Sequence, residues 1–495
     1  MTHKHLLLSS LLLLVMFVHP ARCFVRLTRT QNSFLGSQQI LSHQATRLFA
    51  TTAEEAGQST SSAQSQYMPR VMLKRNRQTK AFRDGTQLVF PKSIDKTPKH
   101  LQSGDLVAVE VPVSNDKNNT QTTLVGVGVY NPNSMYRVRI LCHTLLNADL
   151  KLQTMDPETA LSTILKLQFA KALETRRAIG LPSSNTDTYR LVNGEGDGLS
   201  GLAVDVVGGT TAVVMSSAAW CQAHQSSILD SLQELLPDMD LLWKTTPSRL
   251  RQDGYEEQES EEVPESEENV EPVIVTENGI QYQTFPHKKG QKTSVYCDQR
   301  ENRLNLAALC DGKRVLDLCC YHGGFALNAA KGNAAHVTSV DSSQDAVETC
   351  SENARLNGFE DRIDVVREDI SGFMKSCDEK YDVIVLDPPK LAPSMSTLNK
   401  ASQKYKSLNK DALKLMSDDG GIFMTCTCSS AMTQKDGGNF FLQTIQQASL
   451  AARREITLLR VSGAAPCHTL SPASFPAGNY LTAALFYVKP VRGKD

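Results

Sequence analysis

Cys428 closes an apolar run, Ile422-Phe423-Met424-Thr425-Cys426-Thr427, that follows Gly420-Gly421 and reads as a buried strand. A thiol at a strand end becomes a nucleophile once it loses its proton. One reaction that demands such a group is substitution at carbon 5 of cytosine. That carbon is too weak a nucleophile to attack an electrophilic methyl group. A thiolate that adds to carbon 6 makes carbon 5 an enamine carbon, which can. Cys426 lies two residues back, and the strand period of two puts both thiols on one face. Cys428, at the end itself, is the candidate nucleophile.

Three earlier strand ends carry groups suited to a ligand. Lys313 to Cys320 reads as a buried strand that ends in Tyr321-His322-Gly323-Gly324-Phe325, where a helix begins. Glycines at such a turn let backbone approach a ligand closely. The next strand, His336 to Val340, closes on Asp341. An acid about twenty residues past the glycine turn suits the diol of a ribose. A helix to Asn357 and a strand from Ile363 to Arg367 lead to Glu368-Asp369. The strand Tyr381 to Leu386 ends in Asp387-Pro388-Pro389-Lys390. The glycine turn is not G-x-G-x-x-G, which disfavours a nicotinamide pyrophosphate site. Many class I methyltransferases present their substrate edge on an Asp-Pro-Pro tetrapeptide of this kind. Methylases of exocyclic amines usually follow it with an aromatic residue; Lys390 fits a phosphate or base-oxygen contact instead.

Strands alternating with helices predict a largely parallel sheet with its ligands at the carboxyl ends of the strands. This α/β domain spans residues 273–495. Ahead of it, residues 67–145 hold short β-like runs around Val71, Leu88, Val107, Val125 and Ile140, separated by polar turns, as in a small β-barrel. Residues 146–254 combine a helix around Asp156 to Ile179, a strand, glycine-rich turn and strand from Tyr189 to Asp205, and a helix near Cys221 to Leu236. They read as a small α+β connector.

The formal net charge of −1 hides a strong asymmetry. Tyr255 to Pro272 contains nine glutamates and no basic residue, and reads as a disordered acidic insertion. Between Arg70 and His100, nine Lys/Arg face only Asp84 and Asp95. Such a segment, with Lys74, Arg75, Arg77, Lys80 and Arg83 at its centre, favours a polyanionic partner. Of the twelve cysteines, nine follow residue 290, and their spacing fits neither a disulfide framework nor a zinc site. No metal is expected.

Residues 1–66 read as an address and a linker. His3, Lys4 and His5 precede an apolar run from Leu6 to Val18, then Pro20 and Ala21-Arg22-Cys23, which describes a secretory signal peptide. From Phe24 to Ala53 there is no acid, and Arg26, Arg29 and Arg47 lie among Ser, Thr and Gln, as in a transit peptide. The pair is similar to the bipartite presequence of algae with secondary plastids, where a Phe often follows the cleavage point. A plastid is the expected destination, a mitochondrion the alternative, with no membrane association of the mature chain.

Over about Pro69 to Pro490 the sequence resembles bacterial large-subunit rRNA cytosine-5 methyltransferases with an N-terminal PUA domain. The resemblance is carried by Glu195-Gly196-Asp197-Gly198-Leu199-Ser200-Gly201, Gly290-Gln291-Lys292-Thr293, Asp298-Gln299-Arg300-Glu301-Asn302-Arg303, Asp387-Pro388-Pro389-Lys390, Tyr405-Lys406 with Asn409, and Thr427-Cys428-Ser429. It implies a PUA-like β-barrel that grips RNA, the connector, and a Rossmann-like class I methyltransferase domain that uses S-adenosyl-L-methionine. Tyr321, Gly323, Asp341, Asp369 and Asp387 would line the cofactor site. Gln299 and Arg300 would border the cofactor or base pocket. Cys428 would be the nucleophile, with Asp387 and Lys390 beside it. The product would be 5-methylcytosine in large-subunit rRNA; a homodimer is left open. Ser294, Cys297, Cys467 and Ala477 depart from the family pattern, where Gly, an aliphatic residue, Asp and Glu stand. Two other readings are a guanine-methylating enzyme on the same scaffold, which needs no Cys428, and a non-catalytic RNA-binding assembly factor. A small-molecule methyltransferase is a weaker third, opposed by the basic barrel.

Overall fold

The β-like runs of the N-terminal part pair into one sheet in a computed structural model that describes residues 68–74, 82, 85–113, 121–256, 271–287 and 295–491. Its strands are β1 (Arg70–Leu73), β2 (Leu88–Val89), β3 (Ile94–Lys96), β4 (Leu106–Pro112), β5 (Thr122–Tyr130) and β6 (Val138–His143), in the order β2-β6-β5-β4-β1-β3. Only the β1–β4 pair is parallel. Strand β4 is buried along its whole length because both of its faces are covered. Val107, Val109 and Val111 point into the core of the sheet itself. Leu106 and Ala108 join Val127, Val129 and Leu141 in a second cluster with Ile164, Leu165 and Phe169 of the helix Pro157–Ala178. The period of two thus divides one strand between two cores.

The connector sheet has the order β10-β9-β8-β7, built from β7 (Tyr189–Asn193), β8 (Leu202–Val207), β9 (Thr211–Ser216) and β10 (Asp240–Thr245). Val204, Val206 and Val214 face the helix Pro157–Ala178. Val207 and Val213 instead meet Val275 and Tyr282 of the hairpin β11 (Val273–Glu277) and β12 (Ile280–Thr284), and with it the core of the C-terminal domain. Buried ions reinforce these seams. Asp253 accepts from Arg139 and Ser134 of the first sheet, each at 2.5 Å, and from the Ala219 amide at 2.9 Å. Arg176, fully buried, pairs with Asp197 at 2.5 and 2.8 Å and donates to the Cys467 carbonyl at 2.6 Å.

The C-terminal sheet runs β15-β14-β13-β16-β17-β19-β18, with β13 (Arg314–Leu318), β14 (His336–Asp341), β15 (Ile363–Arg367), β16 (Val383–Leu386), β17 (Gly421–Thr427), β18 (Ile456–Ser462) and β19 (Thr482–Val488). The five strands from β15 to β17 are parallel; β19 inserts antiparallel between β17 and β18. This is a Rossmann-like sheet. Its strand order reverses at β13, which opens a crevice at the carboxyl ends of β13, β14 and β16. The eleven cysteines among the described residues are free thiols. No helix among them is long and apolar enough to cross a membrane, and no cluster of three His, Cys, Asp or Glu could hold a metal. The targeting segment and residues 257–270 of the acidic run lie outside the described residues.

Candidate active site

The chain turns sharply where β13 ends. Cys319, Tyr321 and Gly323 take positive φ values of 65°, 51° and 87°. For the two residues with a Cβ this conformation costs about 1–3 kcal/mol each, so the surroundings must impose it. Asp341, at the end of β14, does so from one side: its carboxylate accepts from the Tyr321 and Ser343 amides, each at 3.0 Å. Packing alone would demand both glycines. A Cβ on Gly323 would lie 2.7 Å from the Cys350 sulfur, and one on Gly324 would lie 2.6 Å from Arg303.

Acids converge on this crevice. Asp317, in the middle of the apolar strand β13, accepts from the Ala326 amide at 3.0 Å through one oxygen; the other has no hydrogen-bond partner among the described residues. Burial pushes its carboxyl up to about 7, and Asp387 and Asp341 add to the rise. Asp387, just past β16, is likewise pushed up to about 7 by burial and by Asp298, while a 3.0 Å hydrogen bond from Gln299 opposes the shift. The thiol of Cys319 feels Asp341, Asp387, Asp317 and Asp369 together, after burial, and is raised far above its ordinary range. Asp369 caps the helix Ile370–Ser376 by accepting from the Ser371 amide at 2.9 Å and the Gly372 amide at 3.3 Å.

Cys428 stands one residue past the end of β17, half-buried, where Cys426 is fully buried. Its flanks are pinned. The Tyr405 hydroxyl lies 2.8 Å from Thr427 Oγ1, and the Ser429 hydroxyl donates to the Ala392 carbonyl in the loop beyond Lys390. Tyr405 is in turn held in the helix Leu398–Lys414, where Asn409 donates to its carbonyl at 2.8 Å. The Cys428 thiol is pushed up to about 11 by burial first and by Asp387 and Asp298 next, with Lys390 pulling the other way. The site therefore stores a protonated thiol and needs added positive charge to make a thiolate.

Comparison with known proteins agrees with this architecture. A family model for a PUA-like domain matches residues 71–143, and one for a methyltransferase domain matches residues 309–458. The ribosomal RNA large subunit methyltransferase I of Aeromonas hydrophila is 30% identical over 397 residues, 79% of this chain and 93% of that protein. The chain belongs to the ribosomal RNA large subunit methyltransferase I family. The member from Klebsiella pneumoniae strain 342 is 29% identical over 417 residues, 83% of this chain and 96% of its own. A methyltransferase structure from Streptococcus mutans superposes over 85% of this chain and 100% of its own, with a TM-score of 0.64 and 20% identity, which shows the shared fold.

Membership of this methyltransferase I family makes S-adenosyl-L-methionine the cofactor. The residues fit it. Asp341, Asp369 and Asp387 lie within electrostatic reach of Cys319 at the lining of the crevice, and behind them one oxygen of the buried Asp317 has no hydrogen-bond partner among the described residues. Such a lining repels a pyrophosphate and attracts a ligand that carries a sulfonium and an ammonium group.

The structure brings Tyr321, Asp341, Asp387, Gln299, Cys428 and Lys390 around one rim, Lys390 being solvent-exposed. The guanidinium of Arg300 turns elsewhere, to Cys467 Sγ at 3.5 Å and Glu301 at 3.2 Å. Lys74 is exposed at the end of β1, while Arg75, Arg77, Lys80 and Arg83 lie outside the described residues, as do Gly290 to Ser294. The substituted Cys297 sits among apolar neighbours, where an aliphatic residue would also fit. Sequence reasoning passed over Asp317, although an acid inside an apolar strand is itself a signal. It also passed over Tyr296, which has no periodic pattern to mark it.

Proposed function

We propose that this chain methylates carbon 5 of a cytosine in organellar large-subunit rRNA, with Cys428 as the covalent nucleophile. The observation that carries the reading is the placement of Cys428. It is a half-buried thiol at the carboxyl rim of the parallel sheet, fixed on both sides and facing the charge of Asp387 and Lys390. S-adenosyl-L-methionine, when bound, supplies the electrophilic methyl group. Asp317 and Asp341 would hold its cationic and hydroxyl groups.

The chain's own groups do the rest. Lys390 and a cationic ligand in the crevice lower the proton affinity of Cys428, so its sulfur adds to carbon 6. Asp387, with a carboxyl near 7, is partly protonated at neutral pH and can donate to the ring nitrogen, drawing electrons from carbon 6. The thiol proton leaves to solvent as the sulfur adds. Once carbon 5 carries the methyl group, the ring nitrogen returns its proton to Asp387, and water takes the proton from carbon 5. The electron pair of that C–H bond forms the carbon 5–carbon 6 double bond as the carbon 6–sulfur bond breaks and the thiolate leaves. A guanine target would give Cys428 nothing to do.

The relatives' name supports rRNA as the substrate, and the PUA-like domain supports RNA binding. The organellar setting rests on the composition of residues 1–66, and a fluorescent protein fused behind them should enter the plastid. The decisive experiment is bisulfite mapping of organellar rRNA with and without this protein. One cytosine should lose its protection when the protein is depleted. An unchanged methylation map would overturn the proposal, and incorporation of methyl label into guanine would replace it.

A further inference from the structure

We propose that the ring of Tyr296 is the platform on which the target base stacks after it leaves the RNA; this rests on the RNA-methylation reading above. Tyr296 stands in the segment between β12 and the helix Arg300–Ala307. The three residues that follow it are locked: Cys297, Asp298 and Gln299 are 4%, 9% and 4% exposed. Tyr480 donates to Asp298 at 2.6 Å, the Ala465 amide donates to the Asp298 carbonyl at 2.8 Å, and Gln299 holds Asp387. The carbonyl of Tyr296 itself accepts from the Gln299 amide at 3.1 Å. On this fixed backbone Tyr296 is 52% exposed.

A large aromatic that is half-exposed beside rigid, buried neighbours offers a face left open by the described residues. Its edge contact is informative: the ring meets Tyr321 at 5.3 Å between centroids and 67° between planes. One side of the ring is thus anchored on the turn that bends around the cofactor crevice. The hydroxyl lies within electrostatic reach of Asp298, Cys428 and Asp387, which raise its proton affinity after burial does. The ring therefore lies against the cofactor turn with the nucleophile within electrostatic reach, at the rim that a reacting base must approach. An enzyme that works on one base must take it out of the stack and replace the lost stacking. Stacking on an aromatic side chain serves any base, so Tyr296 supplies affinity and position, while the edge groups supply selection.

The test compares the full chain with Tyr296→Ala and Tyr296→Phe. The RNA is deproteinised large-subunit rRNA from a bacterial strain that lacks the family enzyme. S-adenosyl-L-methionine affinity is measured by calorimetry without RNA, and methyl incorporation gives kcat/KM. Tyr296→Ala should lose about 5- to 150-fold in kcat/KM, the equivalent of one stacked base, with cofactor affinity unchanged. Tyr296→Phe should recover most of that loss. A fall in cofactor affinity that parallels the loss would make Tyr296 a support for Tyr321 and overturn the proposal, as would an alanine variant with unaltered kcat/KM. Nucleoside analysis of the wild-type product is scored separately. A product other than 5-methylcytosine refutes the cytosine assignment and leaves the stacking result to stand or fall on the variants.

Discussion

The side-chain amide of Gln299 donates to the carboxylate of Asp387 across 3.0 Å, and Asn302 grips the other end of the same amide at 2.6 Å. The helix Arg300–Ala307 and its approach are thereby tied to the end of β16, and Asp387 faces the crevice in one orientation. Replacing Gln299 with Ala removes a hydrogen bond to an ionisable group, worth about 1.5–3 kcal/mol. The kcat/KM for RNA methylation should fall by about 10- to 150-fold. That bond also lowers the Asp387 proton affinity, so the Asp387-dependent limb of the pH–rate profile should move to higher pH. An unmoved limb would show that Asp387 does not titrate in the reaction.

Asp317 should make stability depend on pH. Its carboxyl is raised to about 7 in the folded chain from 3.8. The folded state therefore holds a proton that the unfolded state has lost between those values, and stability falls as pH rises from about 4 to about 7. Asp317→Asn keeps an acceptor for the Ala326 amide and removes the charge. Its Tm advantage over the parent should be small at pH 5 and larger at pH 8, worth up to about 4 kcal/mol. The same variant should bind S-adenosyl-L-methionine more weakly. Parallel Tm curves for the two proteins would refute the assignment.

The pair Tyr405–Thr427 holds the loop that carries Cys428. Tyr405→Phe and Thr427→Val each delete one end of a buried 2.8 Å contact. A double-mutant cycle in urea should give a coupling of about 1 kcal/mol, because the second deletion costs little once the first is made. Methylation should fall in both single variants while RNA affinity holds. Simple additivity would mean that the hydroxyls do not act as a pair.

The seam between the first sheet and the connector depends on Asp253. Asp253→Ala would leave Arg139, 6% exposed, buried without its partner. The expected loss is about 3–5 kcal/mol by chemical denaturation. A loss below about 1 kcal/mol, the value of an exposed pair, would show that water reaches the seam.

Much of this was legible in the sequence, and the gaps have physical causes. The alternating strands and helices after residue 313 give the parallel sheet, because buried strands and amphipathic helices have distinct periods. Strand β3 was missed: Ile94, Asp95 and Lys96 show no apolar alternation, and the strand exists only because β1 offers it an edge. The exposed strand β18 is similar, with Leu458, Leu459 and Val461 open to solvent. Cys428 was found because it ends a strand. The contact between Arg300 and Cys467 had no local signal, since the two lie 167 residues apart.

The most direct test of the account is covalent capture. Large-subunit rRNA containing 5-fluorocytidine, which cannot release a proton from carbon 5, is incubated with the full chain and S-adenosyl-L-methionine and run on a denaturing gel. A stable protein–RNA adduct whose crosslinked peptide contains Cys428 is expected, and none with Cys428→Ala. An adduct that survives in Cys428→Ala, or full methylation of ordinary rRNA by that variant, would contradict it.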